Sequence, residues 1–291
     1  MAQVIDSAIR RAVVTIKVFG VGGGGNSVLE RIAESDFLDI ELVAVNTDEK
    51  ALASVSSLGI KTLQIGQSLT KGRGTGNKPE LGELAAKNDE AQIKAIMHGA
   101  DMIFITAGMG GGVGTGATPV IARIAKELGI LTVGIMTIPF SFEGMRKKRI
   151  ANEGIVKMQS YLDALIIVQN DSLMKLDKQL KLADAFHVAD EALRQAIRCI
   201  TELILTTGLV NVDFADVTTI FTQSKSADAL LGIGESNRNA VEAVKKAAES
   251  ALTEKSLKGA RGIILNITGD ESLSLYDVND ATDYIYSQAE D

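Results

Sequence analysis

Residues 107–116 of the chain are Ala-Gly-Met-Gly-Gly-Gly-Val-Gly-Thr-Gly, so six of the nine positions from 108 to 116 are glycine. The segment 101–106 before them is typical of a buried strand, and the segment 117–128 after them is typical of a helix. Because glycine lacks a Cβ, this backbone can adopt positive φ and approach a ligand closely. Successive amides at the start of a helix favour an anion, which we predict to be a nucleotide polyphosphate.

The overall composition limits the classes of partner. The 291 residues suit two domains, and 46% hydrophobic residues indicate a folded globular protein. The net charge of −7 argues against nucleic acid as the main partner. A bound polyphosphate must therefore be held largely by backbone dipoles, a metal ion and a few local cations.

Cysteine and histidine are scarce. Cys199 is the single cysteine, and only His98 and His187 are present, so neither an internal disulfide nor a zinc site is expected. We find no signal-peptide pattern and no run of ~20 apolar residues that could cross a bilayer. These features predict a soluble, cytoplasmic protein that does not bind membranes directly.

Apolar strands alternate with helices along the first two thirds of the chain, which predicts an α/β fold with a parallel sheet covered on both faces. Ligands of such sheets lie at the carboxyl ends of the strands. The glycine-rich segments 20–26 and 107–116 fall there, and so do Asn46, residues 139–143 and Asn170. We predict a long helix over 183–207, then a small α+β region with strands at 217–223 and 262–268 and helices at 237–252 and 274–288.

The first glycine segment also matches G-x-G-x-x-G through Gly20, Gly22 and Gly25. Asp48, after the predicted strand 40–45, could act as the acidic residue that binds ribose in dinucleotide enzymes. This pattern is compatible with an NAD-dependent Rossmann oxidoreductase. Two features argue against that enzyme: it has no role for the second glycine segment, and no catalytic His or Lys is evident. A Walker P-loop is absent, because no Gly-Lys-Ser or Gly-Lys-Thr follows either segment.

Several separate motifs carry a family resemblance. Residues 110–116 resemble the tubulin signature G-G-G-T-G-T-G, and they occur together with the segments 20–26, 46–48, 139–144 and 211–216. In order and spacing the set is similar to the FtsZ family of bacterial tubulin-like cell-division GTPases, from about Ile16 to Ala289. The resemblance implies a tubulin-like, Rossmann-type GTP-binding domain over 12–182, a connecting helix over 183–207 and an α+β C-terminal domain over 208–291.

The resemblance also implies the roles of the site residues. Glu143 would bind the ribose hydroxyls, Asn170 and Asp190 would read the guanine edge, and Phe186 would lie on the guanine face. A carboxylate accepts hydrogen bonds from guanine N1–H and the exocyclic amine, a pattern that adenine lacks. From the residues alone, Asp190 is equally well a solvated helix position and Phe186 a core residue. The full predicted nucleotide-binding set is Gly22, Gly23, Gly24, Gly25, Asn26, Asn46, Gly110, Gly111, Gly112, Val113, Gly114, Thr115, Glu143, Lys147, Asn170, Phe186 and Asp190.

The catalytic residues implied by the resemblance are Asn211, Asp213 and Asp216, which would complete the active site of the next subunit in a head-to-tail homopolymer. The aspartates would polarise the attacking water and Asn211 would position it. The cofactors implied are GTP or GDP and Mg²⁺, the metal being held mainly by phosphates and water rather than by protein ligands. Without the resemblance, an Asx turn is the simpler reading of this segment.

Three departures from the family pattern keep a second function open. Val113 replaces a threonine, and Lys147 replaces an arginine, whose planar fork lysine lacks. The family also continues with two more strands, a linker and a tail that binds membrane-tethering partners. We therefore expect an incomplete second domain and no tail-dependent partners. The alternative function is that of a non-hydrolysing GTP-binding paralogue. If the protein is instead incorporated into a division ring, we expect it at the division site.

A basic run, Arg146 to Arg149, follows the segment 131–137, which is typical of a strand. With a net charge of −7 and no interleaved aromatic residues, a nucleic-acid patch is the weaker interpretation. We predict instead a helix with one face near the nucleotide and the remainder in solvent.

Overall fold

One parallel sheet organises the computed structural model, which describes residues 14–35, 40–173, 181–206, 208–209, 212–223, 227–237, 239–249 and 257–289. The strands are β1 (Ile16–Val21), β2 (Glu41–Asn46), β3 (Lys61–Gln64), β4 (Met102–Gly108), β5 (Leu131–Ile138), β6 (Ala164–Gln169) and β7 (Asp228–Ala229). Within the described residues their order is β3-β2-β1-β4-β5-β6-β7, and all neighbours are parallel. The predicted α/β class with a parallel sheet is confirmed.

The strand order reverses between β1 and β4, which are paired from Ile16 with Met102 to Val21 with Ala107. From β1 the chain proceeds outward through β2 to β3, and from β4 it proceeds in the opposite direction through β5 to β6. A crevice therefore opens at the carboxyl ends of these two strands, where ligands bind in doubly wound folds. The register places the two glycine-rich segments side by side at this crevice.

Helices cover both faces of the sheet. They are α1 (Gly22–Ala33), α2 (Glu49–Ser56), α3 (Gln67–Thr70), α4 (Pro79–Asn88), α5 (Glu90–Met97), α6 (Gly112–Glu127), α7 (Met145–Met158), α8 (Asn170–Leu173), α9 (Leu182–Leu205), α10 (Phe214–Thr222), α11 (Ala240–Ala248) and α12 (Leu275–Ala289). Alternate residues of β1 divide between two cores: Phe19 and Val21 pack on the face of α6, and Ile16 and Val18 on the face of α1 and α9. Within the described part of the chain, no helix has the length and hydrophobicity needed to span a bilayer.

The predicted strand at 217–223 is wrong, because residues 217–222 belong to α10 and residue 223 is its C-cap. The Val-Thr-Thr-Ile sequence has strong β propensity, but Asp213 caps the helix by accepting a hydrogen bond from the Asp216 amide at 2.8 Å. The hydroxyls of Thr218 and Thr222 also bond back to carbonyls four residues earlier, at 2.7 Å each. Tertiary packing of the buried Val217 completes a helix that propensity alone disfavours.

The second predicted strand, 262–268, forms no ladder with any described residue. Its alternating apolar side chains pack instead on the small core between α11 and α12, which contains Val244, Ala281 and Ile285; the packed residues are Ile263, Leu265 and Ile267. The two helices predicted in this region are present, as α11 and α12. The domain boundaries at 182/183 and 207/208 stay a prediction, although α9 itself runs from Leu182 to Leu205.

A buried lysine fastens β1 to the end of α5. Lys17 Nζ donates to Ile96 O at 2.7 Å and to His98 O at 3.1 Å, and it lies 3.4 Å from Glu41 Oε1. Its side chain is 8% exposed, whereas Lys61, which pairs with the same Glu41 at 2.8 Å, is 58% exposed. Lys17 therefore satisfies carbonyls that the helix end leaves without partners.

We predict that Lys17→Met lowers the free energy of unfolding by about 2–4 kcal/mol, because two carbonyls and a carboxylate lose a buried partner. Urea denaturation measures the change. The matched control is Lys61→Met, which removes an exposed partner of the same carboxylate and is expected to cost less than about 1 kcal/mol. Equal losses in the two variants would contradict this role of Lys17.

Candidate functional site

The two glycine-rich segments touch backbone to backbone in the crevice between β1 and β4. A Cβ added to Gly22, whose φ is +72°, would lie 2.8 Å from Gly114 N, and one added to Gly114 would lie 3.4 Å from the carbonyl oxygen of Val21. Gly24 and Gly25 face the end of β4 in the same way, with added Cβ atoms 3.1 Å from Gly108 N and 2.5 Å from the carbonyl oxygen of residue 106. Side chains at these positions would separate the two segments.

Both segments are partly helical, which the sequence did not predict. α1 begins at Gly22, inside the first glycine-rich segment, and α6 begins at Gly112 rather than near residue 117. Glycine costs about 1 kcal/mol per residue in a helix interior, so propensity predicts loops at both places. The close backbone contact between the segments outweighs that cost.

Two other glycines face open space instead of the protein. An added Cβ at Gly23 or Gly111 would meet nothing within 4 Å. Gly111 is the extended N-cap of α6, and neither α1 nor α6 has a side-chain cap. The first amides of both helices therefore lack intrahelical partners at the same crevice, and this arrangement suits an anion such as a phosphate.

The turn before α6 is held by Thr115, whose Oγ1 accepts a hydrogen bond from Gly110 N at 2.8 Å. Gly110 has φ +98°, and a Cβ there would lie 2.9 Å from Lys147 O. Val113, at the position of the family threonine, is buried and belongs to the core on the α6 face. Gly112 packs against Thr75 of the glycine-rich loop 72–76, and a Cβ added to Gly112 would clash with the Thr75 hydroxyl.

Two buried asparagines brace the first segment. With its amide oriented to suit its neighbours, Asn26 Nδ2 donates to Gly22 O at 2.9 Å, and Oδ1 accepts from Asn46 Nδ2 at 3.3 Å. Asn46 Oδ1 accepts from Thr47 N at 2.8 Å. Asp48 is the N-cap of α2, and its carboxylate accepts a hydrogen bond from Lys50 N at 2.9 Å. Its proposed contact with a dinucleotide ribose therefore has no support here.

A loop from Pro139 to Gly144 forms the next wall of the crevice. Glu143 accepts from Phe140 N at 3.0 Å and from Lys147 Nζ at 2.9 Å, so each of its carboxylate oxygens holds one partner. Phe140 is buried, and its ring meets that of Phe186 from α9 edge-on at 5.4 Å between centroids. Glu143, Lys147 and Phe186 are thus brought into one cluster.

Asp171 anchors this loop to α8, a role that sequence analysis did not identify. Its carboxylate accepts from Ser141 N at 2.8 Å and from Ser141 Oγ at 2.5 Å, and Lys148 Nζ lies 3.6 Å away. Burial opposes ionisation, but the Ser141 hydrogen bonds and the Lys148 charge outweigh it and lower the pKa of Asp171. Of the basic run, Lys147 and Lys148 therefore serve the crevice, while Arg149 pairs with Glu153 on an exposed face.

Asn170 sits beside this anchor with an unused acceptor. It is the first residue after β6, it is 5% exposed, and its Oδ1 has no hydrogen-bond partner among the described residues. An unpaired buried carbonyl costs about 1–3 kcal/mol, so such an atom in a crevice points to a missing donor. A purine base with N–H groups at its edge would supply one.

Asp190 lies on α9, four residues after Phe186 and hence on the same helix face. Its side chain is 18% exposed and pairs with Arg31 of α1, whose Nε is 3.4 Å from Asp190 Oδ2. Desolvation raises the pKa of Asp190 to about 6, opposed by the hydrogen bond and charge of Arg31. Like Asp171, Arg31 was missed by sequence analysis, because a basic residue in the last turn of a helix usually needs no partner.

The predicted catalytic aspartates lie elsewhere. Asp213 and Asp216 are exposed at the start of α10, and no hydrogen bond or ion pair connects them to crevice residues among those described. α10 follows α9, whose axis is ~22 Å long between residue 190 and its end at residue 205. Asn211 falls outside the described residues. A single chain therefore presents the crevice and the aspartates on different parts of its surface.

Comparison with known sequence families identifies the class. The profile of the GTPase domain of the Tubulin/FtsZ family matches residues 15–178, which is more than half of the chain. The chain therefore belongs to the Tubulin/FtsZ family. A second match, of the FtsZ family C-terminal domain to residues 226–291, is specific to the FtsZ members.

Solved structures agree. An FtsZ dimer from M. jannaschii, described as empty, is 36% identical, with 99% of this chain and 84% of that chain covered and a TM-score of 0.91. CetZ1 from Haloferax volcanii, a GDP-bound monomer, is 21% identical over 95% of this chain and 88% of that chain, with a TM-score of 0.79. CetZ2 from the same organism, a GTPγS-bound protofilament, is 24% identical over 81% of this chain and 73% of that chain, with a TM-score of 0.68. The two CetZ structures support the fold alone. The predicted family and fold are confirmed, and family membership implies guanine nucleotide binding.

We predict that Gly111→Asp has opposite effects on folding and on ligand binding. Aspartate is a better N-cap than glycine by a few tenths of a kcal/mol, so the free energy of unfolding is expected to stay the same or rise by up to about 1 kcal/mol. Its carboxylate would repel a phosphate in the crevice and weaken GTP binding at least tenfold, on the order of 1.4 kcal/mol. Urea denaturation and titration with a fluorescent GTP analogue measure the two effects.

The matched control for this substitution is Gly111→Asn, which has nearly the same shape and no charge. It is expected to retain more of the GTP affinity, because only the bulk of the side chain intrudes. Full GTP affinity in Gly111→Asp would show that the amides at this helix start do not face the phosphates.

Proposed function

We propose that the protein is a self-assembling GTPase that hydrolyses GTP at the junction between successive subunits of a head-to-tail filament. The observation that carries the proposal is the separation of the glycine crevice from Asp213 and Asp216. Each part of the chain supplies what the other lacks: one could bind a triphosphate, and the other could activate water. A second copy of the chain is the simplest source of the missing half.

The phosphates would lie against main-chain amides. The open faces of Gly23 and Gly111, together with the uncapped starts of α1 and α6, leave room for a ligand to approach the backbone. Among the described residues, no three His, Cys, Asp or Glu side chains form a cluster that could hold a metal ion. Mg²⁺ bound to the phosphate oxygens and water would neutralise charge there, as it does for phosphoryl transfer generally.

The nucleoside would occupy the outer end of the crevice. The unpaired Asn170 Oδ1 and the carboxylate of Asp190 offer acceptors to guanine N1–H and its exocyclic amine. Phe186, exposed and braced by Phe140, offers a flat apolar surface to the purine ring. Glu143 would bind the ribose hydroxyls with its remaining lone pairs, and Lys147 would hold that carboxylate in place through its 2.9 Å hydrogen bond.

Hydrolysis would require the neighbouring subunit. Asp213 and Asp216, with Asn211, would orient a water molecule and accept its proton as the water oxygen bonds to the γ-phosphorus. The bond between that phosphorus and the β–γ bridging oxygen breaks, which gives GDP and inorganic phosphate. Positioning and charge stabilisation contribute most to such reactions, so residues from two chains can share one site.

In the cell, we propose a cytoplasmic role in division, with the filament forming part of a ring at the division site. We also propose that the chain is divided into a GTP-binding domain over 12–182, a connecting helix over 183–207 and a C-terminal domain over 208–291.

Val113 and Lys147 motivate a second candidate function, that of a paralogue that binds GTP and co-assembles without turnover. Val113 packs in the core. Compared with the threonine of the family, it lacks the hydroxyl that the resemblance would place near the phosphates. Phosphate release at high protein concentration distinguishes the two.

Mixing two inactive variants tests the shared site. Asp216→Asn removes the acid and is expected to lower phosphate release by roughly 10²–10⁴ while GTP binding survives. Gly111→Asp blocks the crevice and leaves the acids intact. An equal mixture is expected to release phosphate at least about tenfold faster than either variant alone, because junctions that pair the two variants have one complete site.

Phosphate release and light scattering are followed together over a range of protein concentrations. In the wild type, turnover per subunit is expected to rise with concentration. Asp213→Asn is the suitable second acid variant, since its side-chain oxygen can still cap α10. Absence of any recovery in the mixture, with both variants present in filaments, would place the active site within one chain.

A further inference from the structure

An arginine at the outer end of the crevice has no part in the function proposed so far. Arg31 approaches Asp190 Oδ2 through Nε at 3.4 Å, and its terminal nitrogen also contacts His187 Nδ1. The side chains of Arg31 and Asp190 are 27% and 18% exposed, so the pair is partly withdrawn from solvent. It links α1, which begins at the phosphate crevice, to the base-reading face of α9.

We propose that Arg31 sets the base specificity of the site by holding Asp190 as the ionised carboxylate that a guanine edge requires. The inference deepens the proposed function, because it takes GTP binding at this crevice as given. Arg31 is a positioning residue in this scheme, since it acts through Asp190 and needs no contact with the nucleotide.

The charges around Asp190 leave this task to Arg31. On α1, Glu30 disfavours the ionised carboxylate and Arg31 favours it. On α9, His187 contacts Arg31, and Glu191 pairs with Arg194. α8 contributes Asp171, which Ser141 and Lys148 already hold. β5 and β6, which also pack on α9, contain no ionisable residue.

Burial makes this support necessary. Desolvation raises the pKa of Asp190 to about 6 even with Arg31 present. An opposite charge at this range lowers a carboxyl pKa by about 1–3 units, so without Arg31 much of Asp190 would be protonated at neutral pH. A protonated carboxyl presents an O–H donor towards the guanine N–H donors and loses the match.

The geometry lets Arg31 and guanine share the carboxylate. Arg31 Nε reaches only Oδ2, and an ionised carboxylate offers about four acceptor positions on its two oxygens. Guanine N1–H and its exocyclic amine can therefore bind while the ion pair persists. Adenine has a hydrogen-bond acceptor at N1, so this atom and the carboxylate oxygen would be two acceptors that repel each other.

Competition titrations with GTP, ITP and ATP against a fluorescent GTP analogue, from acidic to mildly alkaline pH, test the proposal. ITP shares the ribose and phosphates of GTP but lacks the exocyclic amine, so the GTP-to-ITP affinity ratio isolates the base edge. In the wild type, this ratio is expected to be high at neutral pH and to fall at acidic pH, because the acceptor is present only when Asp190 is ionised. The midpoint of that fall reports the pKa of Asp190 in the nucleotide complexes.

In Arg31→Leu, the midpoint of that ratio is expected to move up by at least about one pH unit, and the ratio at neutral pH to fall about tenfold. Arg31→Lys keeps the charge and is expected to restore a midpoint near that of the wild type. Arg31→Gln, which is neutral and retains donors, is the second neutral variant should the leucine variant fail to fold. A purely structural role would weaken GTP and ITP equally and leave the midpoint in place.

Two controls fix the interpretation. Arg198→Leu removes an exposed ion pair with Glu202 on the same helix and is expected to behave as the wild type. Asp190→Asn removes the titrating group, so its GTP-to-ITP ratio is expected to be independent of pH. A wild-type midpoint in both neutral Arg31 variants would overturn the proposal, whereas a wild-type protein that does not prefer GTP to ATP would overturn the proposed function instead.

Discussion

The contact between two glycine backbones at the reversal point of the sheet is the constraint from which the rest of the site follows. Gly22 and Gly114 approach so closely that a Cβ on Gly22 would lie 2.8 Å from Gly114 N. This approach brings the starts of α1 and α6 to one crevice, and at the points of contact it leaves no room for side chains. With glycine also at the open positions 23 and 111, the inner end of the crevice offers mainly main-chain dipoles, which do not distinguish one nucleotide from another.

In the function we propose, the outer end would select the base with residues from three different elements. Asn170 follows β6, Glu143 lies in the loop after β5, and Phe186 and Asp190 share a face of α9. The ionisable residues among them carry partners within the chain: Lys147 pairs with Glu143 and Arg31 with Asp190. In a chain with a net charge of −7, these pairings reduce the repulsion that unpaired carboxylates would exert on a polyphosphate. The cations act by neutralising carboxylates, while the helix starts attract the anion.

Much of this was predictable, because it depends on local sequence. The buried strands, the parallel sheet and the position of both glycine segments follow from apolar runs and from the rule that ligands lie at the carboxyl ends of strands. Three features were not predictable in that way. The helical state of Gly22 and Gly112 depends on tertiary contact, and the helix at 214–222 depends on the cap by Asp213, which competes with a strong strand pattern. The partnership of Arg31 with Asp190 joins residues 159 positions apart, and no spacing in the sequence reports it.

The separation of the two proposed half-sites has a consequence for the kind of assembly. A surface that fits a different surface of the next copy forms a heterologous contact, which extends indefinitely unless the rotation closes a ring. The crevice and the exposed start of α10 are different surfaces of one chain, joined by the 24 residues of α9. Asp213 is bound to the Asp216 amide, so the cap that begins α10 also fixes the relative positions of both acids. A partner crevice would meet them already oriented, and turnover would then depend on the subunit contact itself rather than on either surface alone.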